Sequence, residues 1–423
     1  MAEHSDEAAR GGRDATDRRT FLQAGALASA ALAGGVSAVR GQEPAAKDSP
    51  KAVAMPTRPL GKTGVNVSIL DQGAVRASGL DRLYRTSFAA GVRVFDTAKV
   101  YGTEPSFKKW FETDPAIRKQ IFLVTKDELR TADKLVASID QRLAALGTDS
   151  IDLFFLHGLG DHHTVDQAKA LLQSKELAQA VEAVKKSGKV KFFGFSTHHK
   201  DRAAMIEAAA GGDVVDAIML QYSPWLDKES PLNKALDACW KKGIGLISMK
   251  QIAGKMFGDA PKGDVLKEVA RRAPVLAERK LSPFQGLLHA IWTDERISSV
   301  CTSMKTTEQI RENADAAWRF EPLKPTEVAQ IRDAVLSNGP TLCADCDGRC
   351  SIAAGTKAEL GNLTRFLTYH EHLGNRSEAR LQYARLDAEA RDWSGADLNA
   401  ARAACPSGLD FAALLPRVDK HLA

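Results

Sequence analysis

The feature that most constrains this chain is an alternation. Short runs rich in β-branched and aromatic residues recur with helix-patterned stretches between them. The strand-like runs lie near Val65–Leu70, Val92–Asp96, Ile121–Thr125, Ile151–Leu156, Val190–Phe195, Ala217–Gln221, Gly245–Met249 and Ser299–Thr302. Between them, stretches such as Thr131–Leu146, Asp166–Ser187 and Ser230–Lys242 place apolar residues at three- and four-residue spacing. Alternating strands and helices imply a parallel sheet, and this many units match the ~250 residues of a (β/α)8 barrel. A doubly wound sheet is the alternative, but no strand is followed by G-x-G-x-x-G, the loop by which such sheets usually hold a dinucleotide.

Three strand-like runs end in polar residues of chemical interest. V-R-V-F closes on Asp96, with Tyr101 five residues on; I-F-L-V-T closes on Lys126; I-D-L-F-F-L closes on His157. Each has an ordinary reading: Asp96 as a helix cap, Lys126 as a solvated charge, His157 as a hydrogen-bonded core residue. In a barrel, however, the carboxyl ends of all the strands open on one face, so the three would converge. A free phenol has a pKa near ~10, and a neighbouring ammonium lowers it by stabilising the phenolate. Asp96 would hold that ammonium, and a neutral His157 would donate a hydrogen bond to a substrate oxygen.

Asp96, Tyr101, Lys126 and His157, in this order and at these strand ends, resemble the catalytic tetrad of the aldo-keto reductases. The resemblance covers residues 57–322 and implies a (β/α)8 barrel. It also implies NAD(P)H-dependent hydride transfer between nicotinamide and a carbonyl or alcohol substrate, with Tyr101 as acid/base. It extends to cofactor positions. Ser196, Thr197 and Gln221 fall where the family holds the nicotinamide carboxamide, with Thr197 replacing the usual Asn. Met249 stands where an aromatic residue usually lies under the ring, and Lys250 is placed to meet the pyrophosphate. The segment C-T-S-M-K-T-T-E-Q-I-R-E-N is similar to the adenosine-phosphate segment. Ser303 and Met304 would offer backbone N–H groups at a helix start, and Lys305, Gln309 and Asn313 would face the adenosine. Gln309 replaces an Arg often used for the 2′-phosphate, which leaves NADP and NAD both open. A non-catalytic barrel that binds a nucleotide or a protein partner is the alternative reading.

The flanks differ from the barrel. T-D-R-R-T-F-L-Q, Thr16 to Gln23, resembles the twin-arginine export motif, although Asp17 and Gln23 depart from it. An Ala- and Gly-rich apolar run follows, too short for a comfortable membrane span, with Val36-Ser37-Ala38 as a small-residue cleavage site. Residues 1–41 are thus expected to be a signal peptide for the periplasm or cell envelope, with no stable span after its removal, and residues 42–56 a polar linker. G-K-T at Gly61 to Thr63 imitates the end of a phosphate loop, but Pro56 occupies the place of its first Gly.

Residues 323–423 read as a helical extension. L-C-A-D-C-D-G-R-C and a distant Cys405-Pro406 resemble the ferredoxin-like extension of some aldo-keto reductases, with one more residue between the second and third Cys than usual. Cys343, Cys346, Cys350 and Cys405 would hold one [4Fe–4S] cluster; structural zinc and disulfides use the same residues. Cys239 and Cys301 read as core, and His370 and His372 as solvated or core residues.

In size and composition the chain suits one large and one small domain: 423 residues, 44% of them hydrophobic. A formal net charge of +5 with no basic run gives no electrostatic case for nucleic acid. Export of an already folded protein suits one that acquires a cluster and a nucleotide in the cytoplasm. Free NAD(P)H is scarce outside it, so the nucleotide would be tightly held or electrons would arrive through the cluster from a redox partner protein.

Overall fold

The computed structural model describes residues 55–74, 79–199, 201–226, 228–251, 263–336, 343, 348–372, 376–405 and 408–423. The twin-arginine motif, the small-residue cleavage site and Cys346 lie outside them.

Eight parallel strands close into a barrel: β3 (Leu70–Gly73), β4 (Val94–Asp96), β5 (Phe122–Asp127), β6 (Ile151–Leu156), β7 (Val190–Thr197), β8 (Ala217–Gln221), β9 (Gly245–Met249) and β10 (Ile297–Thr302), with β10 pairing back onto β3. An antiparallel hairpin of β1 (Thr57–Pro59) and β2 (Asn66–Ser68) precedes them. The Arg58 guanidinium binds it to the barrel by donating to the carbonyls of Trp292, Asp294 and Ile297.

The apolar run near Val65–Leu70 therefore does not form one strand. It divides between the hairpin and the barrel, and the barrel strand extends into the polar sequence Leu70-Asp71-Gln72-Gly73. Ser68 makes the corner: its hydroxyl donates to the Leu70 carbonyl and accepts from the backbone N–H of Arg93. The stretch Asp166–Ser187 likewise divides into the helices Val165–Leu172 and Lys175–Lys186. Ser174 causes the break, because its hydroxyl caps the second helix by accepting from the Leu177 N–H.

Alternation along the strands separates two apolar layers. Val94, Val124, Leu153, Phe155, Ala217, Met219 and Ile247 pack together inside the barrel, joined by Leu60 and Val67 from the hairpin region. Phe95, Leu123, Phe154, Phe193, Phe195, Ile218, Leu220 and Leu246 face the surrounding helices and form the larger core. Gly194 is required where β7 meets β8, since a Cβ there would lie 1.8 Å from the Ala217 carbonyl oxygen. The helix Pro325–Leu336 packs Ile331 and Ala334 against Val275, Leu276 and Ala290.

From Arg349 onward the described chain is helical and has its own core. Leu360, Leu363, Phe366 and Leu367 of the helix Leu360–His372 pack on Phe411, Leu414, Leu415 and Val418 of the helix Phe411–Leu422. Among the described residues, no helix is long and apolar enough to cross a membrane.

Candidate active site

The inward-facing rows that supply the barrel's apolar interior end in polar residues at the carboxyl ends of the strands. Two residues beyond Val94 is Asp96, beyond Val124 is Lys126, and beyond Phe155 is His157. The three come from consecutive strands, so the β4–β5 and β5–β6 pairings set them side by side. Tyr101 is carried in by a 3-10 turn, Lys99–Tyr101, directly after β4.

The Lys126 ammonium is 1% exposed, so its charge survives only because the site compensates it. It donates to both Asp96 oxygens at 2.5 Å and to the Thr97 carbonyl at 3.0 Å. Burial opposes its charge, but the fields of Asp96 and Tyr101 outweigh burial and hold it above the ordinary lysine value. Its Nζ lies 5.4 Å from the centre of the Tyr101 ring. Burial raises the Tyr101 phenol above its usual value while Lys126 pulls it back. The resting phenol is thus protonated at neutral pH.

The Tyr101 hydroxyl is 3.4 Å from His157 Nε2, with the two rings edge to face. Burial, reinforced by Lys126 and Lys250, pushes the His157 imidazole down to about 3, so it is neutral. An ammonium held by a carboxylate, a protonated phenol and a neutral imidazole meet in one place. This arrangement can deliver a proton to an oxygen without itself requiring a metal.

Several candidate cofactor residues lie at the carboxyl ends of the later strands. Ser196 ends the inward row of β7 and accepts from the Gly158 N–H at 3.1 Å, while Thr197 donates to the Leu159 carbonyl at 2.8 Å. Both hydroxyls thus brace the loop that follows His157. Gln221 ends β8 and is buried. Met249 ends β9, half-buried, and Lys250 follows it, exposed, at φ 49°. Past β10, Ser303 and Lys305 are exposed and Met304 is buried. The Lys305 N–H donates to the Gln309 side chain at 2.7 Å, just before the helix Thr307–Trp318, on which Asn313 is half-buried.

One group in the tetrad layer was not anticipated from the sequence. Asp71, on β3 beside Cys301 of β10, is wholly buried next to Asp96 and Lys126. Its only signal in the sequence is an acid directly after the apolar run that ends at Leu70.

In the extension, Cys350 is 4% exposed within the helical core, with Cys343 and Cys405 packed against that core. Burial and the nearby Cys343 and Cys405 push the Cys350 thiol up to about 11. No disulfide joins the described cysteines. Cys239 is core and Cys301 is in the tetrad layer; His370 stacks on His421 at 4.9 Å, away from any described group of metal-ligand spacing.

Residues 68–335 match the aldo/keto reductase family. L-galactose dehydrogenase of Arabidopsis thaliana is 25% identical over 291 residues, covering 63% of this chain and 89% of its own length. Methylglyoxal reductase of Salmonella typhi is 26% identical over 233 residues, covering 54% of this chain and 78% of its own. An aldo-keto reductase from Bacillus halodurans, solved in its holo form, superposes with a TM-score of 0.54 at 21% identity, covering 66% of this chain and 96% of that one. At that identity the likeness speaks for the fold. The chain belongs to the aldo/keto reductase family, and is an oxidoreductase of the NAD(P)-using kind.

Proposed function

We propose that this protein interconverts a small carbonyl compound and its alcohol, with Tyr101 as the proton donor and acceptor. The observation that carries this is the protonated Tyr101 hydroxyl 3.4 Å from a neutral His157 and facing an ammonium pinned by Asp96. His157 orients the substrate oxygen. Tyr101 gives it a proton in reduction, and Lys126 stabilises the phenolate left behind. A bound nicotinamide dinucleotide supplies the hydride, or accepts it in reverse. Ser196, Thr197 and Gln221 would hold the carboxamide and Met249 would pack under the ring. Lys250 would meet the pyrophosphate, while Ser303, Met304, Lys305, Gln309 and Asn313 would line the adenosine end. The relatives named for methylglyoxal and galactose support a small, polar carbonyl or hydroxyl substrate.

The test is a titration with NADPH and then NADH followed by a panel of small aldehydes and ketones. Micromolar binding of one nucleotide is expected, with turnover that Tyr101→Phe lowers by about 10²–10⁴-fold while leaving nucleotide binding intact. Full activity in that variant would overturn the role of Tyr101. Because the phenol must be protonated to act as an acid, reduction weakens as pH rises through its pKa and alcohol oxidation strengthens.

The extension suits one [4Fe–4S] cluster. Three buried or half-buried thiols that repel one another as thiolates are a donor set that a cationic centre would relieve, and Cys346 would complete it. A cluster would carry single electrons to or from a redox partner protein. Residues 1–41 are proposed as a twin-arginine signal that delivers the folded protein to the periplasm or cell envelope; fractionation of cells with Arg18 and Arg19 replaced by Lys checks this.

A further inference from the structure

Among the described residues, Asp71 and Asp96 bring two carboxylates and Lys126 one ammonium into the barrel interior. Asp96 has the ammonium: both its oxygens accept from Lys126 at 2.5 Å. Asp71 is 0% exposed, and neither of its oxygens makes a hydrogen bond among the described residues. An ionised carboxylate in that position would be a buried charge with no donor beside it but the weak Cys301 thiol, which is among the costliest arrangements a protein can hold. The groups facing it are Asp96 on β4, Lys126 on β5, Cys301 on β10 and Tyr84 on the helix Leu80–Ala89. Ligand atoms of Asp71, Asp96 and Cys301 all lie within 4.8 Å of one another. That spacing would suit a small cation, but the Lys126 ammonium already occupies the same carboxylate, so a proton is the charge that remains to be placed.

We propose that Asp71 is a positioning residue that carries a proton beneath the Asp96–Lys126 pair and, by keeping or losing it, sets how readily Tyr101 becomes a phenolate. With Asp71 neutral, Lys126 faces one negative partner, and its field stabilises the phenolate. When Asp71 ionises, a second anion faces Lys126, the layer gains a negative charge, and phenolate formation is opposed. No bond between heavy atoms changes; one proton passes from the Asp71 carboxyl to solvent as pH rises. Burial, followed by the charge of Asp96, drives the carboxyl in the required direction, well above the usual carboxylate range. The proposal rests on Tyr101 as acid/base and adds to it a pH limit in the alcohol-oxidising direction.

Infrared difference spectroscopy of the whole protein tests the charge directly. At neutral pH the wild type is expected to show the C=O stretch of a protonated carboxylic acid. Asp71→Asn removes it, and Asp71→Glu shifts it. In parallel, Tyr101 ionisation is followed by tyrosinate absorbance, with Tyr101→Phe as the blank. Since Asn is never charged, the Asp71→Asn variant should form tyrosinate at a pH lower by about one unit, a tenfold change in equilibrium. A wild-type spectrum with no band sensitive to either substitution would overturn the proposal, and so would an unmoved tyrosinate midpoint. The infrared measurement needs no turnover. If the band is present but every carbonyl and alcohol assay is silent, the catalytic role falls with the reaction while the charge assignment stands.

Discussion

Tyr101 and His157 meet at 3.4 Å because two strand ends and one tight turn bring them together; His157 is visible in the sequence as a polar residue closing an apolar run, and Tyr101 as the phenol five residues after Asp96, which closes another. Asp71 was not visible in this way. It sits in Leu70-Asp71-Gln72-Gly73, where polar residues form a buried barrel strand because Gln72 is satisfied by Gly73, Ser87 and Met304 rather than by water. Composition misplaced that strand, and only barrel closure shows which acid faces inward. The raised Asp71 carboxyl has a thermodynamic consequence. The folded protein keeps a proton that the unfolded chain releases above ~3.9, so the contribution of Asp71 to stability falls as pH rises from there to the folded-state pKa, by about 1.4 kcal/mol per pH unit. Asp71→Asn lacks this slope, and its urea midpoint should exceed the wild type's by a margin that widens across the window.

Elements were most legible where they were buried on both faces. β6, β8 and β9 have the bounds that their apolar runs indicate, because strands covered inside and out need near-continuous hydrophobicity. Helix boundaries were less legible, as the split at Ser174 shows: one hydroxyl capping Leu177 outweighs an uninterrupted apolar stripe. The extension's helices have a core of their own, with Leu363, Phe366 and Leu367 inward. The sequence named the cysteines, but only folding sets Cys350 beside Cys343 and Cys405. If the extension holds the proposed cluster, Cys350→Ser should remove most of the iron and acid-labile sulfide from anaerobically purified protein while leaving the barrel's thermal transition and nucleotide binding in place. Unchanged iron content would exclude Cys350 as a ligand.

At the scale of the whole molecule, buried histidines work against the fold in acid. His157 is held down to about 3 and His289 to about 4, the latter buried against Trp292 and Phe320 with Nε2 at the Ala316 carbonyl. Unfolded, both imidazoles take up a proton below ~6.5; folded, they refuse it. These two contribute a slope of up to about 2.7 kcal/mol per unit that lowers stability as pH drops from ~6.5 toward 4; His198, also held well below its usual value, adds to it, and the raised Asp71 carboxyl opposes it. Chemical denaturation at several pH values checks this: His289→Gln should differ from the wild type by about 1.4 kcal/mol per pH unit across this window. Barrel closure carries a different consequence. The β3–β10 seam is tied by the Ser299 hydroxyl to the Ser68 carbonyl, 231 residues earlier in the chain, and the same seam sets Asp71 beside Cys301. A ribosome-bound chain that has not yet emerged through β10 has no closed interior and so no finished reaction centre. Competence therefore arrives only after most of the polypeptide has been synthesised, and chains that end before β10 are expected to be inactive.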